Sequence, residues 1–391
     1  MQLRLSIAAA SLIITTAVQA EDYVSVQFMQ YDENNNRTSV SAPSITINKD
    51  FGTDYTLNIS AVSDAVSGGS PTAIRTDTAS GASAYNRGQT DPSNVSYENV
   101  DYKDNRVAGN ILLISRFDNR DELTVGISYS SESDFYGKEA SAEYMHWLGS
   151  DKNQALSFGL SAQANEVLIR DCTNNSNCSA VDTASGASSK ETNNAISAQL
   201  SFSQNIDQNS YIKAAAFYST EDGYLSSPYH NIVREVDAST DVLVEAEIKP
   251  DARQSYGVSL HYANALTKSL AWQAAYRYYI DDWGIDSHTL DNDLYYTLAD
   301  DWTFKLGLRV YSQSEADFYE EFNTNGSFSS TQTTASSDER MSSFTALTYK
   351  TGVDYQVSKD VSVNISANMY EQDSYSKLKA TYFIAGFTYN F

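Results

Sequence analysis

The chain has 391 residues, 41% of them apolar, with 50 acidic and 26 basic side chains and a net charge of −24. That charge excludes nucleic acid or anionic lipid as charge-driven partners, and solvated loops account for it more simply than cation capture. The length allows one large barrel or two soluble domains, and no apolar run beyond the leader approaches the roughly 18 residues of a spanning helix.

Residues 1–20 are expected to be a Sec signal peptide. Arg4 supplies the charged start, Ile7 to Ile14 the apolar core and Ala-Val-Gln-Ala (17–20) the cleavage site. Val24, Val26 and Phe28 then alternate with Ser25 and Gln27, the turn ENNNR (33–37) follows, and 38–47 and 55–62 continue as strands. Residues 63–104 read as a long polar connection. It holds DAVSGGS (64–70) and DTASGAS (77–83), and DTASGAS returns at 182–188. Asp and Ser cap turns and Gly supplies positive φ, so the phrase reads as a repeated turn device rather than a calcium loop.

Hairpins follow at 106–117 with 123–131, 138–148 with 155–169, and 195–206 with 211–219. Cys172 and Cys178, the two cysteines of the chain, lie in a loop and are expected to form a disulfide in an exported protein. Strands at 255–263, 270–282, 286–298 and 302–314 come next. In the last of these Trp302, Phe304, Leu306, Leu308 and Val310 share one face, with Thr303, Lys305, Gly307, Arg309 and Tyr311 on the other. This strict period of two marks a strand with one apolar and one polar face. Residues 341–357 and 361–369 precede a final strand with Phe383, Phe387, Tyr389 and Phe391 on one face. The aromatic end Phe387, Tyr389, Phe391 resembles the signal read by the outer-membrane barrel-assembly machinery.

The reading is all-β: a transmembrane antiparallel up-and-down barrel of about sixteen strands, with fourteen or eighteen also compatible, forming one domain over 21–391. Mean hydropathy is negative because a barrel strand needs only alternate apolar residues. Short connections alternate with long loops at 63–104, 170–190, 220–253 and 317–338. Since bacterial barrels keep short turns in the periplasm, both termini are placed there and the protein in the bacterial outer membrane. A soluble β-sandwich or β-helix would not explain this rhythm together with the terminal Phe.

No enzyme signature appears and no cofactor is expected. Ser259 and His261 share an inward face and could touch, as a lipid hydrolase would need, but no orienting carboxylate is apparent. Asp281, Asp282, Asp286 and His288 at one hairpin tip are candidate divalent-metal ligands, against the simpler reading of a tip held by Asp281–Arg277 pairing. Alternation turns Arg116, Arg277, Lys305, Arg309 and Lys350 inward, with Glu132 and Asp354. Arg277, Tyr279, Asp281, Arg309 and Tyr311 are expected to form one charge-paired lumen cluster with Asp317 or His288 at its rim, because an unpaired Arg leaves donors unsatisfied.

Four phrases carry a family resemblance: DAVSGGSP (64–71), GYLSSPY (223–229), YRYYIDDWGIDSHT (276–289) and YSQSEADFY (311–319). They resemble domain-of-unknown-function family 3570, exported proteins of Proteobacteria and Bacteroidetes. The resemblance implies an outer-membrane barrel without an established activity. It also implies a gene setting beside a small lipoprotein, a thioredoxin-like protein and a flavin transferase, hence a redox-linked envelope system. The expected function is a non-enzymatic channel or transport barrel, or a barrel component of an envelope complex. The alternatives are a plugged, partner-binding barrel and, least favoured, a lipid hydrolase. Expected partners are outer-membrane lipid, the assembly machinery and a periplasmic protein or lipoprotein.

Overall fold

A computed structural model describes residues 22–77, 87–171, 187–237 and 239–391. The expected signal peptide, Cys172, Cys178 and most of both DTASGAS copies lie outside the described residues.

The described chain forms β1 (Tyr23–Glu33), β2 (Ser39–Phe51), β3 (Tyr55–Arg75), β4 (Gly88–Thr90), β5 (Val95–Arg116), β6 (Glu122–Ser131), β7 (Phe135–Leu148), β8 (Gln154–Asp171), β9 (Ala187–Asn205) and β10 (Ser210–Gly223). It continues with β11 (Asn231–Glu235), β12 (Val242–Ala246), β13 (Ala252–Ala265), β14 (Leu270–Asp281), β15 (Asp286–Leu298), β16 (Trp302–Gln313), β17 (Phe344–Ser358), β18 (Val361–Asp373) and β19 (Lys379–Asn390). Sixteen of these pair antiparallel, each with its neighbours in sequence, and close through β1 and β19. Strands β4, β11 and β12 stand apart as a three-stranded sheet in the order β11-β12-β4.

The alternation read in the sequence has its physical cause here. Leu306 is 64% exposed, and Phe304, Leu308, Leu290, Leu294, Ile127, Ile365 and Phe383 also lie on the outer surface. A continuous apolar exterior of this extent has no place in water and fits lipid. Aromatic girdles flank it. Trp302 stacks on Tyr355 at 4.2 Å near the short-turn end, where Tyr389 also stacks on Phe391. Tyr218 packs on Tyr256 at 5.0 Å near the long-loop end.

Several expected boundaries change. Residues 63–104 are not one loop, because β3 and β5 stay paired from Tyr55↔Ser115 out to Arg75↔Val95. DAVSGGS lies within that ladder and is no turn: Asp64 faces Arg106 and pairs with it. Gly68 (φ +133°) is needed there because a Cβ would lie 1.7 Å from the Arg37 carbonyl oxygen. The expected loop at 220–253 contains β11 and β12, and residues 314–343, rather than 317–338, join β16 to β17.

The long loops pack at one end of the barrel as a cap with apolar cores of its own. Val233, Val242 and Val244 bury against Ala73 and Val95, with Phe322 beside them. Ile232, Phe328 and Ala335 form a second cluster. Leu225, Ala316 and Phe318 pack on Trp283 and Ile285 of the β14–β15 turn.

A charge on the outer face tests the lipid-facing assignment. Leu306→Arg is expected to destabilise the reconstituted barrel by about 2–4 kcal/mol, read from denaturant unfolding in vesicles, while inward Thr303→Arg is expected to cost well under half of that. Equal effects at both positions would reverse the faces.

Candidate functional site

The site is the lumen together with the cap that covers it. On the wall formed by β15, β16 and β17, Arg309 Nε donates to Asp291 at 2.9 Å and Lys350 Nζ donates to Asp291 at 2.9 Å and Asp293 at 3.0 Å. Lys305 lies 3.9 Å from Asp293. Gly307 makes this cluster sterically feasible, since a Cβ there would lie 2.0 Å from Asp293 Oδ1 and 2.7 Å from Lys350 Cε. The Arg309 side chain remains 53% exposed although it points inward, so this part of the lumen is wet. On the far wall Arg116 lies 4.0 Å from Glu122, and Gln163 donates to Glu139 at 3.1 Å.

The expected cluster around Arg277 is divided differently. Asp281, with no exposed side-chain surface, accepts from Arg253 Nε at 2.9 Å and from Tyr279 Oη at 2.8 Å. It also accepts the backbone N–H groups of Trp283 and Ile285, each at 3.0 Å. Arg277 does not reach it: four residues along a strand span about 13 Å, whereas Arg253 comes from the adjacent strand. Arg277 instead lies over Phe217 at 4.9 Å and Tyr279 at 5.7 Å. Arg309 pairs with Asp291, directly opposite in register, and not with this group. Tyr311 donates to Gln313. Asp317 sits beside Gly284 in the cap, where its backbone N–H donates to the Trp283 carbonyl.

The four candidate metal ligands do not converge. Asp281 is buried in the contacts above, and Asp282 accepts the Gln254 N–H. Asp286 is 3.9 Å from His288, whose ring meets Tyr276 on the outer face, so His288 is not at the lumen rim. Among the described residues the carboxylates that approach within 4.8 Å as a trio are Asp104, Glu132 and Asp134. Burial, then Asp104 and Asp134, pushes Glu132 up to about 7. Ser259 and His261 both face inward on β13, and no hydrogen bond joins them.

Sequence reasoning missed the charge network of the cap, whose signal was the density of ions in EIKPD (247–251) and SSDER (336–340). Lys249 bridges Glu247 at 3.0 Å and Asp338 at 3.3 Å. Arg340 Nε donates to Asp338 at 2.9 Å, and Ser336 Oγ donates to Glu247 at 2.6 Å. Burial opposes the charge on Asp338, yet Arg340 and Lys249 hold its carboxyl well below the usual range. His230 is buried beside these groups with Nε2 unpartnered, and burial lowers it to about 4.

The cap is tied around the rim. Arg37 of the β1–β2 turn lies 3.5 Å from Glu339 and donates to Ser376 at 2.6 Å. Asn231 donates to the Ala73 carbonyl, Asn193 to the Tyr224 carbonyl and Tyr229 to Asp134. Trp283 Nε1 donates to the Ala252 carbonyl at 2.8 Å.

A family model for proteins of unknown function, DUF3570, matches residues 3–387. The chain belongs to the DUF3570 family. Sequence comparison with curated proteins finds no match. Its fold is similar to solved outer-membrane barrels. A bacterial polysaccharide outer-membrane secretin aligns over 96% of this chain and 99% of its own, at 8% identity and a TM-score of 0.50. CdiB from Acinetobacter baumannii aligns over 94% and 60%, at 8% identity and a TM-score of 0.52. The ferric enterobactin receptor PfeA of Pseudomonas aeruginosa, as a double mutant, aligns over 90% of this chain at 10% identity and a TM-score of 0.45. This chain spans 53% of that receptor's length. At these identities the likeness concerns the fold alone: this member of DUF3570 has the closed antiparallel β-barrel fold that solved outer-membrane barrels share.

Two predictions follow from the site. Arg253→Ala strands the buried Asp281 charge and is expected to cost about 3–5 kcal/mol, against about 1 kcal/mol or less for Arg277→Ala, measured as denaturant unfolding of the purified barrel. Comparable losses would restore Arg277 as the brace.

The second concerns pH. A closed cap refuses a proton at His230 until about pH 4, whereas a released loop takes it near 6.5. The contribution of His230 to cap stability is therefore fully present above pH 6.5 and is lost as pH drops towards 4. Glu132 acts with the opposite sign, since its raised value favours the closed form as pH falls from about 7 towards its ordinary 4.5. The ratio of the rates at which added protease cleaves 224–251 at pH 5 and at pH 7.5 is expected to be lower in His230→Gln than in the native protein, because Glu132 acts in both and His230 in the native protein alone. An unchanged pH dependence in that variant would assign it to other groups.

Proposed function

We propose that this barrel is a non-enzymatic transport protein of the outer membrane: a polar passage, continuous with the periplasm, closed at the external end by its own loops. The observation that carries the reading is the contrast between the two ends. Below, solvated charges line the wall, as around Arg309. Above, the loops 224–251 and 314–343 close the mouth through the Glu247, Lys249, Asp338 and Arg340 network. Sixteen strands enclose more space than side chains fill, and a gate of loops turns that space into a regulated route.

The closed cap itself favours a second reading, in which the barrel is a sealed scaffold for a periplasmic protein or lipoprotein within a redox-linked envelope complex. Single-barrel recording in planar bilayers separates the two. The native protein is expected to be mostly closed, and Asp338→Asn, which removes one charge from the buried network, is expected to raise open probability about tenfold or more. Silence in both forms, with the fold intact by heat-modifiable migration, would transfer the assignment to the scaffold.

A further inference from the structure

Arg277 is held in place with its donors unspent. Gly257 has no side chain, and a Cβ there would lie 2.2 Å from Phe217 Cε1, so the bare backbone lets the Phe217 ring cross β13 towards β14. Phe217 in turn stacks on Tyr279, with ring centroids 6.3 Å apart. The Arg277 guanidinium rests on both rings, 4.9 Å and 5.7 Å from their centroids. It makes neither an ion pair nor a hydrogen bond with any described residue, and it faces the lumen.

One row towards the short-turn end, Lys213 stands directly opposite His261. It too meets no carboxylate among the described residues. The other inward-facing barrel cations all do: Arg106 with Asp64, Arg116 with Glu122, Arg253 with Asp281, Lys305 with Asp293, Arg309 with Asp291, and Lys350 with Asp291 and Asp293. In a chain with net charge −24, where carboxylates abound, these two cations, on either side of β13 and one row apart, stand out from this pattern because neither is paired with one.

The approach to them is open. A recess of about 500 Å³ lies at the short-turn end, lined by Tyr211, Asn205, Gln273, Ala263 and Ala271 among others, with Asp207 of the β9–β10 turn as its one carboxylate. Its Tyr211–Ala263–Gln273 row is immediately below Lys213–His261–Ala275, which is in turn below Ala215–Ser259–Arg277. Small side chains at Ala263, Ala271 and Ala275 leave the wall concave, and the amides supply donors.

We propose that Arg277, Lys213 and His261 form a binding station in the lumen for a small oxyanion, a carboxylate- or phosphate-bearing solute that enters through this recess. Arg277 is the anchor. A guanidinium already fixed on two rings loses little rotamer freedom and offers a planar fork to two oxygens. Lys213 adds a point charge without fixed geometry, and His261 with the recess amides can donate to the remaining oxygens. The direction of entry rests on the passage reading above; the binding does not.

The test is calorimetric titration of the purified full-length barrel in detergent at neutral pH, with citrate in one arm and inorganic phosphate in the other. Saturable binding of citrate, of phosphate or of both is expected, and the stronger arm identifies the oxyanion. Arg277→Gln is expected to weaken binding about tenfold or more, and Arg277→Lys to restore only part of it because the fork is lost. Gly257→Ala, which displaces Phe217, is expected to weaken binding with Arg277 itself unchanged. Lys359→Gln, on a periplasmic turn, serves as the control and is expected to bind as the native protein does. Heat-modifiable migration confirms that each variant is folded. No binding of either anion, or equal binding by native protein and Arg277→Gln, overturns the station. Saturable binding by a barrel that stays silent in bilayers, cap-loosened or not, keeps the station and removes the passage.

Discussion

Inside lipid no water is available for the peptide groups, so each must find a partner within the protein. The barrel meets this constraint by closure. β1 pairs with β19 without interruption from Tyr23↔Asn390 to Glu33↔Ala380, and Phe391 donates its N–H to Asp22 just past the last pair. Once the sheet is closed, every strand residue has one of two environments. The period of two in the sequence, the outward aliphatic band and the inward charges all follow from that single choice.

Closure at sixteen strands creates a second constraint, because the interior is wider than its side chains can fill. Inward charges remain affordable where water reaches them, as at Arg309, or where they are paired, as at Lys350. Towards the long-loop end pairing takes over from solvation. Asp281 and Asp338 are almost without exposed surface, and both carry several charged or backbone donors. Desolvated carboxylates of this kind are stable only while every partner stays in place, which makes the cap sensitive to any event that moves one partner.

The sixteen barrel strands were legible because lipid imposes alternation residue by residue, and the expected strand at 302–314 differs from β16 by one residue. The cap strands were not, since β11 and β12 are five residues each inside polar loops. The runs Ile232–Val233 and Val242–Val244 were their only local trace, as apolar residues in a stretch that solvent would otherwise keep polar. Inward orientation was also legible, while inward pairing was not. The sequence places Arg277 and Asp281 on one face, but a strand separates them by two full pleats. The partner that neutralises Asp281 comes from β13, and which residue of β13 it is depends on the register of two strands and on the Trp283 turn. Cysteine pairing lies beyond the described residues and stays an expectation of compartment chemistry.

The architecture of the cap bears on how it would move. Its interior holds apolar clusters beside the buried Glu247, Lys249 and Asp338 network: Val233, Val242 and Val244 pack with Ala73 and Val95, and Phe328 packs with Ile232. Its links to the rim are polar and mostly single, such as Asn193 to the Tyr224 carbonyl and Arg37 to Glu339 and Ser376. Separating an apolar cluster exposes area that water disfavours in proportion, whereas a released rim hydrogen bond is largely replaced by one to water. The two kinds of contact therefore differ in cost, and the cheaper ones lie at the boundary between cap and barrel. A cap of this construction yields at its ties before its core and moves as a unit. Two places are exceptions: β3 contributes Ala73 to the cap's own core while remaining in the barrel ladder, and Trp283 and Ile285 of the β14–β15 turn pack on Leu225, Ala316 and Phe318 of the cap. That places the firm sides of the cap at the long β3–β5 hairpin and at the β14–β15 turn, and the yielding ties between them, at Arg37 with Glu339 and Ser376 and at Asn193 with the Tyr224 carbonyl.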